Sequence, residues 1–149
     1  IQAQSLSGNL FMRTPQVVNY NLHEEDLAYS QVFSVGFGLA HKKKFIELAT
    51  LIDQDNVYGL YTFFGTALHR KTLNPQVVSQ TSWFGEVSYL PDQQDRLSSM
   101  TYTTGLCYLL SYNLGKASVG LPLCLGLAYS QGSLSLNTRA IVNLTLNLF

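Results

Sequence analysis

The chain has no continuous apolar run of about 18 residues, the length a transmembrane helix needs. It is also poor in charge. Asp, Glu, Lys and Arg make up 12% of its 149 residues, against 46% hydrophobic ones, and a soluble domain usually carries about 25% charged residues. The formal net charge is zero, so no basic field points to nucleic acid. No Gly-rich phosphate loop, nucleophile elbow or His-Glu metal helix is present, so no cofactor is expected. The two cysteines have no His-rich partner to make a zinc site with, and no metal is expected. Internal repeats, low-complexity tracts and linkers are missing too. Residues 1–149 therefore read as a single domain. The opening Ile1-Gln2-Ala3-Gln4 lacks the basic and apolar regions of a signal peptide, so any such leader is expected to have been removed already.

What the chain does have is alternation. Val119, Leu121, Leu123, Leu125, Leu127 and Tyr129 fall on one side of residues 119–130. Gly120, Pro122, Cys124, Gly126, Ala128 and Ser130 fall on the other. A period of two is a β-strand. A soluble sheet with one buried face would show Lys and Glu on the other. Here that other face is small and nearly uncharged, which suits a crowded barrel interior, with the large apolar face turned to lipid.

Seven further segments alternate in the same way: around 5–13, then 29–40, 44–53, 57–69, 78–90, 101–114 and 133–148. Turn-like breaks separate them, including His41-Lys42-Lys43, Asn74-Pro75, Gly115-Lys116 and Gln131-Gly132,. The expected fold is all-β: an eight-stranded antiparallel up-and-down transmembrane β-barrel. Lipid cannot satisfy a free sheet edge, so the sheet must close. Eight strands close around side chains, so the lumen is expected to be polar and plugged, with no conducting channel.

Charge placement agrees with that strand count. Lys42, Lys43, Lys44, Arg70, Lys71 and Lys116 fall at one set of strand ends. Glu24, Glu25, Asp26, Asp53, Asp55, Asp92 and Asp95 fall at the other. The longer connections, 14–26 and 91–98, lie at the acidic ends, and outer-membrane barrels keep their long loops outside. The acidic side is therefore expected to be extracellular.

Taken as a whole, this pattern resembles the small outer-membrane β-barrels of Gram-negative bacteria, down to a last strand ending in the aromatic Phe149. The resemblance implies a bacterial outer-membrane location, with phospholipid and lipopolysaccharide as neighbours. Phe149 departs from it, being out of phase with Leu144, Leu146 and Leu148, whereas the family usually keeps its terminal aromatic on the lipid-facing parity. A narrower likeness lies in Gly120-Leu121-Pro122-Leu123-Cys124-Leu125-Gly126-Leu127-Ala128 and Gly36-Phe37-Gly38-Leu39. These are similar to strands of the lipid A palmitoyltransferase (PagP-like) barrels. That family implies an N-terminal amphipathic helix and a His-Asp-Ser set near the outer rim. Here residues 1–13 read as strand, and Gln54 rather than Ser follows Asp53. His23, Asp53 and Asp55 are the partial counterparts available.

Several positions invite chemistry. Glu47, Glu86 and Arg139 point inward by parity from three strands. Buried charges must pair or lose several kcal/mol each, so one hydrogen-bonded network is expected, with His69 near it. It reads as a structural plug or, functionally, as a gate or proton relay. Pro122 sits mid-strand, where it cannot donate to the ladder; it is a tolerated bulge or a lateral opening for an acyl chain. Cys107 and Cys124 face inward on adjacent strands. A four-residue loop sets them directly opposite and a two-residue loop diagonally. An oxidising compartment permits a disulfide, but cross-strand opposition seldom suits one, and packed thiols are the preferred expectation. The acidic rim lacks the glycine and distal Glu of a calcium loop and reads as a solvated surface.

The leading functional expectation is a non-enzymatic scaffold or surface protein, its acidic outer loops or lipid-facing aromatics contacting lipid or a protein partner. One alternative is a lipid A-modifying acyltransferase, which requires an apolar cavity in the outer half of the lumen with His23 beside a carboxylate. The other is a narrow transporter that releases small hydrophobic molecules sideways, which requires a break in the wall near Pro122.

Overall fold

The computed structural model describes residues 6–53, 58–91 and 98–149. Eight strands follow one another: β1 (Ser7–Asn21), β2 (Leu27–His41), β3 (Lys44–Asp53), β4 (Tyr58–Thr72), β5 (Val77–Leu90), β6 (Ser99–Leu114), β7 (Ala117–Ser130) and β8 (Ser133–Asn147). Each pairs antiparallel with its neighbours in sequence, and β8 pairs with β1 to close a barrel. The expected eight-stranded transmembrane architecture is the one observed.

The outward face follows the alternation. Leu121, Leu123, Leu125, Leu127 and Tyr129 of β7 are all exposed, whereas Cys124 and Ala128 between them are buried. Exposed Tyr20, Tyr29, Tyr89, Tyr102 and Tyr129 all lie within a few residues of the acidic strand ends. Together they form the aromatic girdle that borders an apolar band at a membrane surface. The two buried apolar clusters lie inside the barrel at mid-height. Phe11, Ala49 and Tyr61 make one cluster; Phe84, Cys107 and Cys124 make the other, and Phe63 packs against both.

Four sequence expectations are corrected by the backbone. First, β1 does not stop near residue 13 but runs to Asn21. Thr14 and Pro15 interrupt its alternation, and the expected long connection is instead a five-residue turn, Leu22–Asp26. Asn21 Oδ1 caps that turn by accepting from His23 N and Glu24 N, at 2.9 and 3.2 Å. Second, the β4–β5 register slips by one between Ala67 and His69. This bulge turns His69 outward, opposite Thr81, and brings Arg70 inward instead, opposite Gln80,.

The third correction concerns width. Following paired residues around the wall from Asn9 passes Gly38, Glu47, Phe63, Glu86, Thr103, Ala128 and Ser135. It returns to β1 at Asn21, twelve positions above its start. For eight strands about 4.8 Å apart, a stagger of twelve tilts them by about 46° and gives a radius of about 9 Å. A stagger of eight would give only about 7.5 Å. The interior is accordingly not solidly plugged: a cavity of about 660 Å³ remains. Fourth, Phe149 escapes its parity because β8 ends at Asn147. Its ring lies 2.6 Å from where a Cβ of Gly8 would stand, on the side of Leu10 and Met12. The terminal aromatic thus faces outward after all.

Charges sort into three zones. Six basic residues and no acid occupy the end with turns 42–43, 73–76 and 115–116. Seven acids and Arg96 belong by sequence to the opposite end, so the two rims carry formal charges of +6 and −6. Residues 54–57 and 92–97, with Asp55, Asp92 and Asp95 among them, lie outside the described residues. The other four charges are inside the barrel.

Candidate functional site

Those four charges form two ion pairs across the lumen. Arg139 on β8 donates to both oxygens of Glu86 on β5, at 2.5 and 3.0 Å. Arg13 on β1 donates from Nη2 to Oε1 of Glu47 on β3 at 2.7 Å, while its Nη1 lies 2.6 Å from Oε2 as an ion-pair contact, an oxygen that accepts no hydrogen bond. The expected single network of Glu47, Glu86 and Arg139 is therefore two separate pairs. Arg13 supplies the missing cation, and its parity with Asn9 in the alternation would have found it. His69 has no part in either, since the β4 bulge points it away. Bidentate geometry is what makes a guanidinium the fitting partner for a buried carboxylate.

Aromatic rings bridge the two pairs. Arg13 lies over Phe11 at 4.1 Å and over Phe63 at 5.7 Å. Phe63 stacks on Phe84 at 5.1 Å, and Arg139 lies 5.9 Å from the Phe84 ring. Asparagines complete the hydrogen bonding. Arg13 Nε donates to Asn143 Oδ1 at 3.2 Å, Arg139 Nε to Asn137 Oδ1 at 2.6 Å, and Asn137 Nδ2 to Asn19 Oδ1 at 2.6 Å.

The cavity extends on both sides of this waist. Toward the acidic rim its walls are uncharged, with Asn19, Ser30, Ser88 and Ser135 interleaved with apolar Val17, Leu51 and Leu90. Toward the basic rim they include Asn9, Gln80, Asn143 and Thr145, with Lys43, Lys44 and Arg70 at the mouth. At the waist Leu109, Pro122 and Ile141 add apolar surface.

Pro122 marks a place where the wall lacks a ladder hydrogen bond,. Residues of β7 pair with β8 at Gly120↔Asn143 and again at Leu123↔Ala140, but not between. The register is the same on both sides of the gap, so no residue is inserted and Pro122 is not a bulge. A second gap of the same kind lies between β1 and β2. Pairing stops after Arg13↔Ser34 and resumes at Gln16↔Gln31, skipping Thr14 and Pro15. Each proline keeps its other neighbour, Leu109 for Pro122 and Ile141 for Pro15. The N–H that proline lacks is on the interrupted side in both cases.

Cys107 and Cys124 stand directly opposite, in the register set by the Leu114↔Ala117 pair that closes the Gly115-Lys116 turn. They are joined as a disulfide with Cα atoms 4.0 Å apart, where unbonded thiols were the preferred expectation. Close lateral approach between β6 and β7 is enabled by Gly105 facing Gly126 next to the pair. The bond spans 17 residues, so its reduction is expected to lower stability by about 3 kcal/mol at most. Chaotrope midpoints with and without reductant measure this.

The remaining candidates do not assemble. His23 lies in the exposed Leu22–Asp26 turn, Asp55 is outside the described residues, and so is the Asp53 side chain. Among the described residues no group of three His, Cys, Asp or Glu is arranged to hold a metal.

No family model matches the chain, and no curated protein matches it. Among solved structures it is similar to Neisserial surface protein A, with a TM-score of 0.62 and 8% identity over 97% of this chain and 99% of that one. It also matches a de novo designed transmembrane β-barrel, with a TM-score of 0.42 and 13% identity, covering 93% of this chain and 95% of that one. Ail, the attachment invasion locus protein of Yersinia pestis, solved with sucrose octasulfate, gives 0.44 and 7% over 95% and 99%. At these identities the likeness is one of fold, and the fold is that of small outer-membrane barrels.

Proposed function

We propose that this chain is an outer-membrane barrel, acidic rim outward, through which small amphiphilic molecules pass between the lumen and the bilayer beside β8. The interruption of the β7–β8 ladder at Leu121 and Pro122 carries this reading. It is supported by the cavity, whose wall behind the gap is Pro122, Ile141 and Leu109. A molecule entering from the acidic side would meet hydroxyl and amide groups interleaved with apolar side chains, and Pro122, Ile141 and Leu109 at the gap. The acyltransferase alternative lacks comparable support, because His23 stands outside the cavity. Contact of the acidic loops with a protein partner has no such geometric support either. Lipopolysaccharide and phospholipid would be the barrel's surroundings rather than its ligands.

The test is labelling from the lipid side. A small photoactivatable adamantyl diazirine is dissolved in vesicles holding the protein, and labelled positions are read by mass spectrometry. Labelling of inward Ile141 and Leu109, lowered by Pro122→Val, is expected. Labelling confined to outward residues would rule the passage out.

A further inference from the structure

The two wall gaps and the two ion pairs are related in a way that neither requires alone. The β7–β8 gap skips Val142 and Ile141, by the register on either side of it. Pro15, at the β1–β2 gap, pairs with Ile141 from the other side. Both flanks of the β8–β1 ribbon therefore lack a ladder hydrogen bond at the same level,. The ladder inside the ribbon is unbroken from Asn9↔Asn147 to Asn21↔Ser135. Side chains reinforce it: Arg13 bonds Asn143, and Asn137 bonds Asn19, each from one strand of the ribbon to the other.

The strands bordering the gaps belong to the rest of the wall. On one side, β7 is tied to β6 by a continuous ladder and by the Cys107–Cys124 bond. On the other, β2 stays paired with β3 from Val32↔Asp53 to His41↔Lys44. A wall built in this way has one two-stranded panel and a six-stranded frame. Both ion-paired arginines are on the panel, Arg13 on β1 and Arg139 on β8. Both luminal glutamates are on the frame, Glu47 on β3 and Glu86 on β5. Each ion pair thus crosses from panel to frame at the height of the gaps.

We propose that the β8–β1 ribbon is a hinged panel of the barrel wall, latched shut from inside by its two arginines on the frame's two glutamates. Releasing the latches lets the middle of the panel bow outward while its paired ends hold. The prolines lower the number of hydrogen bonds that must break, and the rings of Phe63 and Phe84 couple one latch to the other. An occupant of the waist that competes for Glu86 or Arg139 opens the wall beside itself. The purpose of the device rests on the lateral passage proposed above; its mechanics do not.

Hydrogen exchange of the whole protein in lipid nanodiscs tests the latch without any transport. Glu47→Gln combined with Glu86→Gln is expected to speed exchange roughly 10-fold or more at residues 139–143 of β8 and 31–34 of β2. Amides of β4 to β6 should stay as they were. Swapping one latch, Arg139→Glu with Glu86→Arg, is expected to restore slow exchange at residues 139–143. Pro122→Val, which returns a donor to the ladder, is expected to slow exchange at 139–143 in the otherwise native chain. Exchange that rises evenly around the barrel, or does not rise at all, overturns the proposal, and so does an unchanged rate in Pro122→Val. Faster panel exchange with no added diazirine labelling of Ile141 would leave the latch standing and remove the passage it was said to serve.

Discussion

Leu125→Arg is expected to cost about 2–4 kcal/mol of stability, measured by urea unfolding of the protein folded into vesicles. Leu125 is 55% exposed and near mid-height on β7, so the new cation would meet hydrocarbon. Tyr129→Arg, at the acidic end of the same face, should cost only about 0–1 kcal/mol, because depth sets the penalty. On a water-soluble barrel both changes would be surface substitutions, each within about 0.5 kcal/mol. A flat profile along β7 would therefore mean that the outward leucines face water. A penalty that peaks at Leu125 means that they face acyl chains.

The strands that were legible in sequence are those whose two faces differ most. In β7 every outward position carries a larger or more apolar side chain than its inward neighbours, as in β8 except around inward Ile141, and one strand alone gives the sidedness. Parity fails where the backbone adds or loses a hydrogen-bonded step. The β4 bulge moved His69 from a predicted inward place to the outside, and nothing in Ala67-Leu68-His69 marks an extra residue. Pro15 hid the second half of β1, because a proline beside Thr14 looks like the end of a strand rather than a gap in its pairing. Arg13 was legible by parity, yet its partner was not. Which charges meet across a lumen depends on the stagger around eight strands, a sum of registers that no single segment contains. The same sum sets the barrel's radius, which is why the cavity was expected to be filled.

Glu86→Ala is expected to be the more damaging of the lumen substitutions, with a loss of about 3–5 kcal/mol. Its carboxylate is 8% exposed and holds both terminal nitrogens of Arg139. Removing it strands a guanidinium whose remaining polar contact is Asn137. The cost is mainly that of the unpaired charge, so removing the charge as well should recover most of it. The double variant Glu86→Ala with Arg139→Met is expected to lie within about 1–2 kcal/mol of the native chain, since a buried pair and a well-packed apolar replacement are often of similar stability. Chaotrope unfolding of the four proteins in one double-mutant cycle gives the coupling directly. Additive losses would mean that water from the adjoining cavity solvates each ion on its own. Two solvated ions could hold no panel to a frame, whereas a strongly coupled pair is what a latch across the lumen requires.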